Sequence, residues 1–288
     1  MSRQWAFFAL FLLLASCSGC AWVRSIFSPG RPAAESLTQF TLPEPDLSGA
    51  RRLDLWATYF RTHRARAVSD GVELLAADGG SLGVRLSPRD FCQAAMDGAV
   101  RVERAKGAVT FGFAGLGDAP QTDCSKRFPK QSAISRTRFA RTRGEFGDGA
   151  GGRRLVPLRS LAVDPKVIPI GSVVYVPQAR GLSLSVPGGR DLEDRRVEHD
   201  GFFFAATTGG AIDGHKIDVF IGPLSQNPFS FVQSTKRGTF EAYLVEDGAL
   251  EQAFEALHGR TPAAIAAATG EDFGPRPAWS SHAWASPW

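Results

Sequence analysis

Asp218 stands between Ile217 and Val219 in Ile217-Asp218-Val219-Phe220-Ile221, a run that otherwise reads as a buried β-strand. Alternation on the pleat aims its carboxyl away from the face of its two neighbours. An acid so placed lies either on a solvated face or in a cleft, where burial raises its pKa toward the range useful for proton transfer. Further groups with chemistry precede it: Asp164 in Leu161-Ala162-Val163-Asp164-Pro165, and then Thr207, Gly209, Gly210, Asp213 and His215 in a polar, glycine-containing connection. Gly209 and Gly210 allow a tight turn and close approach of backbone to a ligand. His215 either hydrogen-bonds a ligand or lies in a solvated turn, and Arg159 either orients a carboxylate in a cleft or sits in a surface ion pair. No cluster has metal-ligand spacing, and there is no phosphate loop and no Ser-His-Asp arrangement that spacing supports, so no metal and no cofactor is expected.

The elements that must hold these groups are mainly β. Val173–Val176, Phe202–Ala206, Ile217–Ile221 and Phe240–Val245 are four β-rich runs separated by Gly- and Pro-containing turns with no helix pattern between them, which favours a compact barrel over an α/β sheet. Upstream, Leu53–Phe60, Ser81–Leu86, Val100–Arg104 and Ala108–Phe113 read as strands. Ser87-Pro88-Arg89-Asp90 predicts a helix start, with Ser87 as N-cap and Pro88 at the first helical position, running to about Gly98. Lys126–Gly152, basic and then glycine-rich, reads as a loop bordering a site or as a flexible linker. Phe203, Phe204 and Phe220 either fill the barrel or give a cleft its apolar wall.

Composition excludes some classes. Hydrophobic residues make up 43% of 288, enough for a buried core, and 33 basic against 29 acidic residues give a mixed surface rather than the dense positive field of a nucleic-acid binder. Residues 1–16 read as a signal peptide: Arg3 is followed by an apolar run from Trp5 to Leu14 that is too short to span a bilayer. Leu14-Ala15-Ser16-Cys17 looks like a lipobox, so Cys17 is the expected lipidation site and the attached lipid the expected contact with a membrane. Residues 17–50 are expected to be a tether. In an oxidising compartment Cys92 and Cys124 are either a disulfide or two buried thiols, with the disulfide favoured. Beyond Glu246, residues 247–288 read as short helices and a Pro/Ser/Trp tail.

Three segments together resemble a known family. Leu161-Ala162-Val163-Asp164-Pro165 leading into Ile168-Pro169-Ile170-Gly171-Ser172, then Ala206-Thr207-Thr208-Gly209-Gly210-Ala211-Ile212-Asp213-Gly214, then Ile217-Asp218-Val219-Phe220, look like the 3D domain. That domain is named for three aspartates and is found in lytic murein transglycosylases. The resemblance implies a double-psi β-barrel over residues 155–246, with residues 51–154 as an N-terminal α+β extension. It implies a peptidoglycan glycan strand as substrate and cleavage of the MurNAc-β-1,4-GlcNAc bond with formation of a 1,6-anhydro product. Asp164 matches the first aspartate and Asp218 the third, the general acid and base; both are carried over as catalytic candidates. Thr207 stands at the second, where only a hydroxyl is offered; Asp200 and Asp213 are acids that could substitute in space. Thr58, in Ala57-Thr58-Tyr59, resembles a substrate contact, and Thr207, Gly209, Gly210 and His215 complete the implied substrate-binding set. A cell-envelope location on the periplasmic face of the outer membrane follows. The other reading is a non-catalytic peptidoglycan-binding or envelope-structural lipoprotein with a degenerate motif.

Overall fold

The computed structural model describes residues 32–104, 107–186 and 194–259. The expected signal peptide, the expected lipidation site Cys17 and residues 260–288 lie outside the described residues. After helix α1 (Pro32–Gln39), strand β1 (Arg51–Phe60) enters the barrel. The chain then leaves to build a second lobe from β2 (His63–Arg66), β3 (Val72–Leu75), β4 (Ser81–Leu86), α2 (Pro88–Asp97), β5 (Ala99–Arg104), β6 (Gly107–Leu116) and β7 (Thr137–Arg141). It returns through β8 (Ser160–Ala162) and β9 (Val173–Tyr175), a hairpin of β10 (Ser183–Val186) and β11 (Arg195–Glu198), then β12 (Phe202–Thr207), β13 (Lys216–Phe220), β14 (Phe240–Val245) and helix α3 (Gly248–Leu257).

Six strands close into a barrel in the order β1-β13-β8-β12-β9-β14, and β14 pairs back onto β1. β1 runs parallel to β13 and β8 parallel to β12, while the remaining pairs are antiparallel. This is the expected double-psi β-barrel. Its closure shifts the expected boundary, because β1 lies within 51–154 yet pairs with two barrel strands over its whole length. The lobe inserted after β1 carries its own four-stranded sheet, β2-β5-β6-β7, and the β3-β4 hairpin.

Period-two burial sets the register. On β1, Leu53, Leu55 and Ala57 point into the barrel, where Ile217 and Val219 of β13 and Phe203 and Ala205 of β12 meet them. β12 is apolar on both faces because both are covered: Phe203 fills the barrel, while Phe202 and Phe204 pack outward beneath Leu37 of α1 and Leu250 and Phe254 of α3. Phe220 also belongs to this outer core. The stretch expected as a tether is therefore folded in its second half, since Leu37, Phe40 and Leu42 are buried. The guanidinium of Arg159 holds that segment by donating to the Leu37 carbonyl and lying 3.9 Å from the centroid of the Phe40 ring.

In the inserted lobe α2 begins and ends where the sequence predicts. Ser87 Oγ accepts from the Asp90 amide at 3.1 Å, and Gly98 closes the helix at φ 77°, a left-handed conformation that glycine tolerates. Its inward face contributes Phe91, Cys92, Ala94 and Ala95 to the lobe core. A disulfide joins Cys92 to Cys124, with Cα atoms 5.4 Å apart. Part of the expected 126–152 loop is instead regular: Thr137–Arg141 forms β7, paired to β6.

Candidate active site

Strand pairing brings the expected site residues into one row on the outside of the barrel. In the parallel pairing of β1 and β13 Thr58 lies opposite Asp218, and in the antiparallel pairing of β13 and β8 Asp218 lies opposite Ala162. Ala162 in turn lies opposite Thr207, because a register shift between Ala205 and Thr207 places that residue there. The row reads Thr58, Asp218, Ala162, Thr207. Two strand spacings separate Asp218 from Thr207, roughly 10 Å. Between them lies Ala162, which is itself buried.

Burial and one cation set the electrostatics. The Asp218 side chain is 21% exposed, and its Oδ1 has no hydrogen-bond partner among the described residues. Neither does Oγ1 of Thr58 across the strand. Desolvation raises the Asp218 carboxyl from 3.8 to about 6, and the ammonium of Lys216 opposes that rise without cancelling it. Lys216 Nζ lies 4.0 Å from Asp218 Oδ1, donates to the Ala211 carbonyl at 3.3 Å, and sits 5.4 Å from the Trp56 ring centroid. A buried polar atom without a partner costs about 1–3 kcal/mol. Two of them, in side chains facing each other across one strand pair, are free among the described residues to meet a further hydrogen-bonding group.

The other aspartates stand in different surroundings. Asp164 is buried, and its carboxylate accepts from the Lys166 amide at 3.0 Å and the Gly214 amide at 2.8 Å. It fixes the turn that delivers Lys216 and Asp218 into β13. Asp200 is no substitute for the missing second aspartate, because both of its oxygens bind the buried Arg159 guanidinium, at 2.5 and 2.7 Å. Arg159 is thus neither a cleft residue nor a surface residue but the centre of a buried ion pair. Asp213 lies exposed in the turn before Gly214.

The glycine-containing loop closes one edge. A Cβ on Gly209 would fall 2.9 Å from Cγ1 of Ile212, so a larger residue would displace the turn whose Gly209 carbonyl accepts from the Ile212 amide. Gly210 is exposed beside it, and His215 Nδ1 donates to the Asp54 carbonyl at 2.9 Å. A Cβ on Gly149 would meet Ala206 O at 2.5 Å and Thr207 Cβ at 3.0 Å, so the glycine-rich 147–152 segment lies directly against the row. Lys216 with Trp56, and Ala162 as the residue between Asp218 and Thr207, were missed by sequence reasoning. Lys216 could have been found, since it precedes Asp218 by two residues and shares its face by alternation.

The family model of the 3D domain matches residues 159–227. Among solved structures, E. coli MltA with bound chitohexaose is 15% identical over 68% of this chain and 74% of its own, at a TM-score of 0.43. A membrane-bound lytic murein transglycosylase from Agrobacterium tumefaciens is 14% identical over 68% of this chain and 76% of its own, also at 0.43. The lytic transglycosylase LtgG of Burkholderia pseudomallei is 19% identical over 67% of this chain and 71% of its own, at 0.36. No curated protein sequence matches the chain. The barrel segment that carries Asp164, Thr207 and Asp218 is a 3D domain.

Proposed function

We propose that this protein is a lytic transglycosylase-like enzyme that cleaves the β-1,4 bond between N-acetylmuramic acid and N-acetylglucosamine in peptidoglycan. The observation that carries this reading is the Asp218 carboxyl: desolvated, raised to about 6, and with Oδ1, like the Thr58 hydroxyl beside it, unpartnered among the described residues. One such group serves both halves of the reaction. Protonated Asp218 donates to the glycosidic oxygen as the bond from that oxygen to C1 breaks. The resulting carboxylate then takes the proton of the muramyl C6 hydroxyl as O6 bonds to C1, which closes the 1,6-anhydro ring and leaves the acid protonated again. The nucleophile belongs to the substrate, so the second carboxylate of a hydrolysing glycosidase is not required.

In this reading Thr58 hydrogen-bonds the sugar beside the acid, the Gly209-Gly210 turn approaches it through backbone, and Asp164 positions the strand entry. Thr207 contacts substrate from the far side of Ala162, and His215 borders the strand entry. We further propose that Cys17 is acylated and holds the protein on the periplasmic face of the outer membrane.

The test is the product from purified sacculi, read by mass as 1,6-anhydromuramyl termini. Asp218→Asn keeps the shape but cannot cycle a proton, so the rate should fall at least about 10²-fold in a protein that remains folded. Product that persists undiminished in Asp218→Asn removes Asp218 from the reaction. One observation favours a second reading, a binding protein without turnover: Thr207 supplies no charge to the row. Sacculus binding by wild type with no anhydro product selects it.

A further inference from the structure

A cleft of about 610 Å³ opens where the end of β1 meets the inserted lobe. Four arginines line it, Arg61, Arg64, Arg89 and Arg127, against one carboxylate, that of Asp90. This is a local concentration of charge in a chain whose formal net charge is only +4. Asp90 is already engaged, by His63 Nε2 at 2.9 Å and by the Ser87 hydroxyl at 2.7 Å. Arg61 and Arg64 reach outside the lining for their partners, Asp97 at 3.0 Å and Glu103 at 2.6 Å. Arg127 donates to the Gln93 side-chain oxygen at 2.8 Å, which leaves its charge unneutralised, and Arg89 forms no ion pair among the described residues. Both of these side chains are exposed to solvent at the cleft.

We propose that this cleft binds the carboxylates of the peptide stem carried by the glycan, a specificity element that rests on the peptidoglycan reading of the Asp218 site. Guanidinium groups present a planar fork of donors that matches a carboxylate, and a concave surface lined by one sign of charge concentrates its field. Position supports the assignment. Arg61 is the first residue past the end of β1 and lies three residues beyond Thr58, about 10 Å at 3.3 Å per residue, and Pro223 and Leu224 of the cleft follow β13 three and four residues past its end at Phe220. A short peptide on the sugar held at Asp218 spans that distance. The ligand is then a branched one: the sugar lies over the outer row of the barrel and its acidic stem lies between the lobes.

The test compares wild type with Arg89→Gln/Arg127→Gln, a pair chosen because neither arginine makes an ion pair among the described residues and both are exposed. The probes are a synthetic stem peptide with free carboxylates, its fully amidated counterpart, and glycan strands with and without their stems. Wild type should bind the free-acid peptide and the stem-bearing strands at least about fivefold more tightly than the amidated peptide and the bare strands, an advantage that shrinks with added salt. The double variant should lose that preference while binding bare strands as wild type does. Equal affinity of wild type for the acid and amidated peptides, or a preference that survives in the double variant, overturns the proposal. Anhydro product from sacculi is scored in parallel. Product with no stem preference defeats the cleft assignment alone, whereas stem preference with no product defeats the enzyme reading and leaves a carboxylate-binding cleft.

Discussion

Burial and attraction compete at Asp218, and burial wins: the carboxyl is raised to about 6 although Lys216 Nζ lies 4.0 Å away. Two pH effects follow. A general acid must start protonated, so turnover should fall as pH rises through about 6, and the descending limb should vanish with Asp218→Asn. Stability follows the same proton. The folded-state pKa lies above the unfolded value near 3.8, so the native state binds more protons between about pH 4 and 6 and its stability decreases with rising pH across that window. Asp218 is therefore best tolerated below pH 4 and costs up to about 3 kcal/mol at neutral pH. Asp218→Asn should unfold at higher denaturant than wild type at pH 7.5, and the two should converge at pH 4. A neutral-pH variant no more stable than wild type would show that the carboxyl is solvated. Thr207→Asp adds a like charge roughly 10 Å away, which at an effective dielectric of about 20 is worth 1–2 kcal/mol, or about one pH unit. It should move the descending limb upward by no more than that.

Legibility at this scale depended on distance along the chain. Asp218 stood out because an acid interrupts an apolar strand, and its face followed from the pleat. The partner of Arg159 did not, because the ion pair with Asp200 spans 41 residues and forms only when the barrel closes. The separation of Thr207 from Asp218 was hidden for the same reason: β8 supplies the strand between them, and only three residues long, Ser160–Ala162, it gives almost no periodicity.

Among the elements, those with their own signals were found. Helix α2 has a cap, a proline and a terminating glycine within its own sequence, and β12 and β13 carry apolar runs. Strand β2, His63–Arg66, reads His-Arg-Ala-Arg; three of its four residues are polar because one face of the lobe sheet meets solvent. The disulfide ties α2 to the segment that precedes β7, across a sequence separation of 32. On the chain-entropy account a loop of that length stabilises by about 3–4 kcal/mol. Reduction should lower the melting temperature, and hydrogen exchange should quicken first in α2 and β5, which share the Cys92 core, while the amides of β12 and β13 keep their protection. Labelling of both cysteines in denatured, unreduced protein would show that the bridge is absent. Because the site lies on the barrel, the reduced protein should retain Asp218-dependent chemistry better than it retains any discrimination made by the cleft between the lobes.

At the scale of the whole molecule, the barrel is closed by its first strand. β1 pairs with β13 through Trp56–Phe60 and with β14 through Arg51–Leu55, so residues early in the chain complete a barrel whose other strands begin at Ser160. An insertion of that size explains why residues 51–154 read as a separate extension: the pairing that joins β1 to the barrel leaves no local mark. The N-terminal segment is bound to the same body, since Leu37 is fully buried and Arg159 donates to its carbonyl. An acylated Cys17 would then connect to the start of α1 at Pro32 through fifteen residues, at most about 50 Å when fully extended. Such an anchor would keep the docked N-terminal segment within that reach of the membrane surface, and peptidoglycan would be met from one side. Cys17→Ala should release the protein from the membrane fraction, because the acyl chains that supply about 0.8 kcal/mol per buried methylene are gone. It should leave the cleavage of soluble glycan strands unchanged, since α1 and the barrel remain as they were, but slow the digestion of sacculi in cells. Wild-type protein found soluble and free of acyl chains would remove the anchor, and with it the geometric argument, while leaving the chemistry at Asp218 untouched.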